Sequence, residues 1–404
     1  MSARLRIPYG LTLIGVLGIA AAPASAQTQT FADVQAGLGY STNPEMRLDG
    51  VGSGFGRVSV FGFHGWGTER SSTNISAYVE NSTYFRRYSN KQLFDLNAAT
   101  TRQVSEKVRL FGNLGFSGDF GAQLSSRFYG APVGTVTVDP TFADNSVIVV
   151  NPDLAALNQR QYRINAQTGA SLVLSPRDSL NTTLGAQRVF FSGDSNVLNY
   201  NLYDATAGYQ RQLDERISVG LRAIASYADY RLGRSILSYG PQVTGSIRLA
   251  ENLQASGAIG LVRTEQDTGT VGGRDNSIDL AFDGSLCRTL ASERMCARAS
   301  RRTQSSVLGT APTSSSINVD YSRRLNARDQ LQASFAVVTT GAERELSFGR
   351  RTFYTVAGSF DRKMSDRVSA GVNLAARRLN TVGPDPKEDL GGSLFIRTRF
   401  GSVR

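Results

Sequence analysis

Residues 159–191 read QRQYRINAQTGASLVL, SPRD and SLNTTLGAQRVFF, and their pattern is the strongest indication of the fold. In its first arm, apolar side chains such as Ile164 and Leu172 alternate with polar ones such as Arg163 and Asn165. The second arm repeats the alternation after a short polar turn. A period of two predicts strands and not helices. Both arms are much longer than an ordinary strand of about five or six residues, so the stretch predicts a long antiparallel hairpin.

Long strands with one apolar and one polar face are typical of transmembrane β-barrels, because a closed barrel pairs every backbone N–H and C=O within hydrocarbon. Short charged turns like that of the hairpin recur along the chain. Apart from one gap of about 70 residues after the turn near 106, they are 35 to 41 residues apart, as expected for periplasmic turns that alternate with external loops. The turns are 67–70, 105–107, 175–178, 214–216, 251–252, 291–293, 326–329 and 365–367.

Eight turns join sixteen strands in pairs, and residues 31–42 and 390–400 supply one strand at each end. The sequence therefore predicts an all-β fold, a single closed transmembrane antiparallel β-barrel of about eighteen strands that spans 27–404. Sixteen strands is the alternative, because the strand signals near Arg57 and Tyr84 are weak.

The N-terminus predicts export. Arg4 and Arg6 precede the apolar run 11–22, and Ala24-Ser25-Ala26 follows it. A basic start, a short apolar core and an A-x-A site predict a cleaved signal peptide over residues 1–26. No later segment approaches the ~20 apolar residues of a membrane-spanning helix. We therefore expect the outer membrane of a Gram-negative cell.

Composition argues against several function classes. The formal net charge is +11, but the basic residues are dispersed along alternating strands, which argues against a nucleic-acid partner. His64 is the single histidine. No other position can therefore supply the histidine of a catalytic triad, and a metal site with several histidines cannot form. We expect no enzymatic activity, no catalytic residue, no metal and no cofactor.

Strand parity directs a set of arginines into the lumen, together with Asp279, Asp283, Asp320 and Asp361. Two interpretations are compatible: a lattice of ion pairs that fills the interior, and a net-positive pore that favours anions. Asp283 is expected diagonally near Arg298 and Arg302. The predicted pore-lining residues are Arg109, Arg163, Arg222, Arg248, Asp283, Arg298, Arg302, Arg324, Arg377, Arg397 and Arg399.

Residues 120–158 form the one long loop, the third external loop in this count. It carries Asp139, Asp144 and Asp153 against the single Arg127. Its position is similar to that of the third loop of general porins, which folds into the barrel and narrows it. The loop is predicted to form a constriction, with an extracellular β-hairpin as the alternative.

The two cysteines, Cys287 and Cys296, flank the turn at 291–293 symmetrically and share luminal parity. Directly opposed residues of an antiparallel pair are close enough for a disulfide, and the periplasm favours oxidation. A cross-strand bridge is therefore predicted. Two reduced thiols remain the alternative, because a register slip of one residue would separate them.

Three further arginines, Arg188, Arg263 and Arg378, have outward parity about ten residues above a periplasmic turn. A charge on the lipid face is costly at mid-membrane and inexpensive near the interface. We therefore expect these arginines at the outer rim, where they pair with lipopolysaccharide phosphates.

The last strand, in which Leu394, Ile396 and Phe400 alternate with Arg397 and Arg399, resembles the C-terminal signal of outer-membrane proteins, although residues 401–404 follow the aromatic residue. With the signal peptide and the repeated turns, the chain resembles bacterial outer-membrane barrels of the β-barrel porin type, especially those found with exopolysaccharide-export genes. The resemblance implies assembly by the barrel-assembly machinery.

It also implies passage of polar solutes or of a secreted polysaccharide, with a small anionic solute or a polysaccharide as the transported partner. A polysaccharide conduit would use inward aromatics, for which Phe111, Tyr78, Phe353 and Phe395 have the parity. The alternative is a non-conducting barrel that anchors or docks envelope or exopolysaccharide machinery. Monomer and trimer are both left open.

Overall fold

The computed structural model describes residues 27–120, 160–192, 199–230, 233–267, 273–306, 309–341, 349–382 and 385–402. These residues form eighteen strands of 11 to 16 residues, each long enough for the roughly 9–11 residues that cross a membrane in a tilted strand. The predicted count of eighteen is confirmed, and sixteen is wrong. The strands are β1 (Gln27–Ser41), β2 (Ser53–Thr68), β3 (Ser71–Tyr84), β4 (Lys91–Ser105), β5 (Val108–Phe120), β6 (Arg160–Val173), β7 (Asp178–Ser192), β8 (Tyr200–Gln212), β9 (Ile217–Tyr230), β10 (Ser235–Ala250), β11 (Leu253–Asp267), β12 (Arg274–Thr289), β13 (Glu293–Thr303), β14 (Thr313–Arg324), β15 (Asp329–Thr340), β16 (Arg351–Lys363), β17 (Val368–Thr381) and β18 (Lys387–Ser402).

Every strand pairs antiparallel with its sequence neighbours, and the first strand pairs with the last. The β1–β18 ladder runs from Thr30 opposite Ser402 to Ser41 opposite Gly391. β1 begins before the predicted residue 31, and β18 extends beyond the predicted range 390–400 at both ends. In both strands the backbone pairing continues past the alternating apolar residues from which the ends were predicted. The closed ring has no free edge strand, so each strand finds hydrogen-bond partners on both sides.

The decisive hairpin is β6–β7. Ala166 lies opposite Ala186, and Ile164 lies opposite Arg188. Leu174 N–H donates to Asp178 C=O across the turn. The polar turn thus fixes a register in which apolar residues of both arms share one face.

The two ends of the barrel differ in their connections. At one end the strands are joined by turns of two to four residues, and at the other by connections of four to thirty-nine residues. Outer-membrane barrels have short periplasmic turns and longer external loops. We therefore assign the short turns, together with the start of β1 and the end of β18, to the periplasmic side.

Large apolar side chains cover the outer face. Leu221, Ile278 and Leu394 are 62%, 70% and 68% exposed. Aromatic side chains share this outer face towards both ends of the strands. Those towards the external side are Tyr203, Tyr227 and Tyr354, and those towards the periplasmic side are Tyr209, Tyr321, Phe360 and Trp66. An apolar outer belt on a closed barrel of membrane-spanning strands identifies an outer-membrane β-barrel.

Residues 1–26, the predicted signal peptide, and the predicted long loop from residue 121 onward lie outside the described residues. In the part of the chain that the structure describes, no helix is long and apolar enough to cross a membrane.

Candidate functional site

The inner face is identified by a contact that crosses it. Arg222 on β9 donates through Nη2 to Asp283 Oδ2 on β12 at 2.6 Å, although β10 and β11 lie between these strands. Two side chains so far apart along a sheet meet only on its concave side. Leu221, next to Arg222, belongs to the apolar face. The face that carries Arg222 therefore lines the lumen.

The ladder registers place all eleven predicted pore-lining residues on this concave face, but at different heights. Arg109, Arg248, Arg324, Arg397 and Arg399 lie at the periplasmic end, Arg222, Asp283 and Arg298 near the middle, and Arg163, Arg302 and Arg377 in the external half. They form a distributed set and not a single ring.

An arc of the inner wall on β9–β14 presents charged groups to the lumen. Asp283 lies diagonally between Arg298 and Arg302 in the ladder, as the sequence indicates. Its carboxylate binds Arg222 instead, and Arg298 Nη1 lies 3.5 Å from Asp320 Oδ2 on β14. Asp283 and Asp320 are exposed, and so is Arg302. The charges of this arc remain accessible to solvent.

The wall on β17, β18 and β1 has the opposite character, because its charges are buried and paired. The side chains of Arg377 and Asp389 are 4% and 0% exposed, and Arg377 Nε donates to Asp389 Oδ2 at 3.0 Å. Asp389 Oδ1 accepts from Ser41 Oγ at 2.5 Å and from the backbone N–H of Asn43 at 2.8 Å. A carboxylate with three partners belongs to the ion-pair lattice and not to a solute path.

Two more arginines join this lattice at the periplasmic end. Arg399 donates from Nε and Nη2 to the two carboxylate oxygens of Asp33, both at 2.7 Å, and its guanidinium lies 4.6 Å from the centre of the Phe31 ring. Arg397 pairs with Asp361, two strands away. The bidentate geometry and the ring contact fix the Arg399 side chain against the wall.

Sequence reasoning missed the first external connection, residues 42–52, as part of the interior. The Glu45 side chain is 3% exposed and pairs with the buried Lys91 on β4 at 3.5 Å, and Arg47 also pairs with Glu45. Asn43 binds Asp389 on β18. Glu45 contacts the inner wall on β4, and Asn43 contacts it on β18, four strands away in the ring. The segment at 42–52 must therefore extend over the concave side of the sheet. No periodic signal marks this contact, because it is made by an irregular segment.

A second missed pair lies on β2 and β3. Arg57 Nε lies 3.3 Å from Glu80 Oε1, with both side chains at most 6% exposed. Tyr78 Oη donates to Glu80 Oε2 at 2.6 Å. The inward parity of Arg57 was visible in the sequence, but the weak strand signal around it hid the pairing.

At mid-height the inner wall on β4–β6 carries neutral amides, with Arg109 on their periplasmic side and Asp95 and Arg163 on their external side. Asn113 Nδ2 donates to Asn97 Oδ1 at 3.0 Å, and Asn165 Nδ2 donates to Asn113 Oδ1 at 3.2 Å. In a ring of eighteen strands, β5 lies nine strands from β14 in either direction. This amide wall therefore faces the charged arc that contains Arg298 and Asp320.

Inward aromatic rings pack into the wall. Phe353 and Phe395 are 1% and 5% exposed. Phe111 lies against Gly169 of β6, where a Cβ atom would collide with its ring. Tyr78 is held by Glu80. Of the four aromatics considered for stacking with sugars, two are thus buried and two are engaged by wall residues.

Cys287 and Cys296 are joined by a disulfide and oppose each other directly in the β12–β13 ladder. The bridge lies on the inner face, and Cys296 is two residues nearer the periplasmic turn than Arg298. It covalently links the two strands that carry Asp283 and Arg298.

The three predicted outer-rim arginines lie on the outer face in the external half of their strands. Arg263 pairs with Glu265 at 3.0 Å, and Arg378 pairs with Glu388 at 3.1 Å. Arg188 is exposed opposite Ile164. Asp139, Asp144 and Asp153 of the predicted constriction loop lie outside the described residues.

His64 also lies on the outer face, near the periplasmic end. Its Nδ1 is 2.7 Å from Thr30 Oγ1, and its ring centre is 5.2 Å from that of Trp66. Among the residues that the structure describes, no group of three or more His, Cys, Asp or Glu side chains could hold a metal ion.

Solved barrels have a similar overall arrangement, with low sequence identity. OpdL of Pseudomonas aeruginosa aligns with a TM-score of 0.45 and 9% identity over 93% of this chain and 99% of that one. OccK2 (OpdF) of the same organism aligns with a TM-score of 0.45 and 9% identity over 94% and 99%. The FrpB iron transporter of Neisseria meningitidis aligns with a TM-score of 0.44 and 10% identity over 88% of this chain and 63% of that one. No protein-family profile and no curated protein sequence matches the chain.

Proposed function

We propose that this barrel is an outer-membrane channel for small polar solutes with a weak preference for anions. The observation that carries the proposal is the solvent-accessible charged arc on β9–β14, which contains Arg222, Arg298 and Arg302. Rings or arcs of Arg side chains in a pore favour anions, because they lower the electrostatic energy of a negative solute inside it.

Only part of the inward arginines contributes to this preference. Buried pairs such as Arg377 with Asp389 are neutral to a passing ion, because their opposite charges are in contact. In the exposed arc, Asp283 and Asp320 offset part of the positive charge. The expected selectivity is therefore weak.

The test is conductance and reversal potential in a planar bilayer under a salt gradient. Refolded wild-type barrel should give stable steps and a reversal potential shifted towards that of the anion. The Arg298→Gln/Arg302→Gln variant should lose most of this shift, because it removes two positive charges from the arc.

Arg301→Gln/Arg323→Gln provides the matched control, because it removes two positive charges from the outer face, where Arg301 lies opposite Phe282 and Arg323 opposite Leu331. It should leave the reversal potential unchanged. A wild-type channel that favours cations, or a double variant with unchanged selectivity, would contradict the anion preference.

The rival transported partner is a secreted polysaccharide. Sugar stacking needs accessible aromatic faces, whereas Phe353 and Phe395 are buried in the wall. This packing supports small solutes over a polymer. Blocking of the single-channel current by a long acidic polysaccharide, with no block by its monomer, would favour the conduit instead.

A non-conducting structural or docking barrel is the second candidate function. The ion pairs of Arg377 and Arg399 and the inward segment at 42–52 favour a filled interior. A folded barrel without current steps would support it. Deletion of residues 120–158 should then produce current only if that segment closes an otherwise open pore.

We also propose that lipopolysaccharide phosphates contact the outer rim. Arg188 should contribute most, because Arg263 and Arg378 already have carboxylate partners. Arg188→Gln should reduce lipopolysaccharide co-purification more than either other single substitution.

The alternating last strand supports recognition by the barrel-assembly machinery, and Phe400→Ala should slow assembly in cells.

A further inference from the structure

The periplasmic edge of the outer face carries a repeated arginine. Arg288, Arg323 and Arg362 are the penultimate residues of β12, β14 and β16, three strands that all run towards the periplasm. Each has the parity of exposed outer residues, as the pairing of Arg288 with Met295 and of Arg323 with Leu331 indicates. All three are exposed. They therefore lie at one height, two strands apart, which is about 10 Å between neighbours.

Residues two positions deeper define that height. Leu286, Tyr321 and Phe360 occupy the outer face directly above the three arginines. Aromatic and apolar side chains of this kind mark the boundary of the hydrocarbon, and the next outward position lies among lipid headgroups. The three guanidinium groups thus lie beside the headgroups of the periplasmic leaflet and not within the periplasm.

The same arc has an excess of positive charge. Arg328 and Arg367 in the adjoining turns add to the three arginines, against Glu293, Asp329 and Asp366. Arg362 lies 3.7 Å from Asp329, and Glu293 lies opposite Arg323 in the ladder. Asp366 pairs with Lys363. These carboxylates offset the arc only in part.

The repeated arginine is concentrated on one side of the barrel, because three successive strands of the nine that run towards the periplasm carry it. Of the other six strands that end at this edge, only β8 has an arginine at the penultimate position, and this Arg211 lies 4.0 Å from Asp178. The corresponding residues of β2, β4, β6, β10 and β18 are Gly67, Val104, Leu172, Leu249 and Gly401. A general requirement of barrel folding would place cations around the whole edge. A cluster on one arc is the pattern of a binding surface for an anionic partner.

We propose that Arg288, Arg323 and Arg362 bind the phosphate groups of anionic phospholipids in the periplasmic leaflet. A guanidinium group matches a phosphate with two parallel hydrogen bonds. The net positive charge of the arc favours a lipid with net negative charge, such as phosphatidylglycerol, over a zwitterionic one. The surface lies outside the lumen, so it is independent of whether the barrel conducts.

Native mass spectrometry of the detergent-solubilised full-length barrel tests the proposal, with phosphatidylglycerol and phosphatidylcholine as probes. The wild type should retain phosphatidylglycerol at least tenfold more tightly than phosphatidylcholine. Arg288→Gln/Arg323→Gln/Arg362→Gln should lose this preference by about tenfold, with its fold checked by heat-modifiable gel migration. The charge-preserving Lys variant at the three positions should retain an intermediate preference, because it loses only the bidentate geometry.

The matched control is Arg294→Gln/Arg324→Gln/Lys363→Gln, which removes the same charge at the same edge but from the luminal face, and it should leave the preference within twofold. An unchanged preference in the outer-face triple variant overturns the proposal. It is overturned equally if that variant loses binding to purified peptidoglycan but keeps its lipids, since the arc would then serve a carboxylate-bearing polymer. Should the variant fail to fold, unaltered lipid retention in each of the three single Gln variants overturns it as well.

Discussion

Arg222 of β9 and Asp283 of β12 are joined at 2.6 Å across two intervening strands, and this pair links two partly exposed charges of the lumen. The side chains are 30% and 51% exposed, so water screens their attraction. Arg222 Nε also donates to Gln242 Oε1 at 2.8 Å, which directs the guanidinium along the wall. The main effect of the pair is therefore to reduce the positive charge of the arc, and its contribution to the stability of the barrel is small.

Asp283→Asn should increase the anion preference of the channel. The substitution removes the carboxylate that offsets Arg222 and lies diagonal to Arg298 and Arg302. Because the pair is exposed, the free energy of unfolding should fall by less than about 1 kcal/mol. Reversal potential and denaturant unfolding measure the two effects. Glu265→Gln, which removes an acid from the outer face, should leave the reversal potential unchanged, and a shift of equal size there would contradict a luminal origin.

The Arg222–Asp283 contact also marks where sequence-based prediction stops. The recurring short turns predict the number of strands, and alternation with a period of two predicts the face on which Arg222 and Asp283 lie. A symmetric turn was enough to place Cys287 opposite Cys296. The pairing of carboxylates with guanidinium groups depends on the curvature of the closed sheet. That curvature is a property of the whole ring, so no local sequence pattern predicts it. The inward path of Glu45 was equally inaccessible, because irregular segments carry no period.

Asp389→Asn should strongly destabilise the barrel. Arg377 and Asp389 are buried, and Asp389 also accepts from Ser41 and Asn43. Removal of one charge leaves the other buried without compensation, which costs about 3–5 kcal/mol. Denaturant unfolding followed by gel mobility measures the loss. The double variant Arg377→Met/Asp389→Leu should recover most of it, since it leaves no buried charge, and a double variant as unstable as the single one would contradict this explanation.

Lys91→Met should loosen the external segment at 42–52. Lys91 is the buried partner of Glu45 on β4, and its ammonium group lies 5.7 Å from the centre of the Tyr84 ring. Without it, Glu45 retains Arg47 within its own segment but loses this anchor on the wall. Trypsin should then cleave after Arg47 several-fold faster than in the wild type. Lys387→Met, at the start of β18, is the control with the same change in charge, and equal acceleration in both variants would argue against a specific anchor.

Cys287→Ser/Cys296→Ser should leave the fold intact and lower its stability. The bridge closes a short loop around the turn at 290–292, and chain-entropy arguments give about 2–3 kcal/mol for a loop of about ten residues. The denaturation midpoint should fall to that of the reduced wild type, and the reductant should have no further effect on the variant. Thiol titration of the unreduced, denatured wild type should detect no free thiol. Two free thiols per chain, or a midpoint insensitive to reductant, would show that the two strands are held by their hydrogen bonds alone.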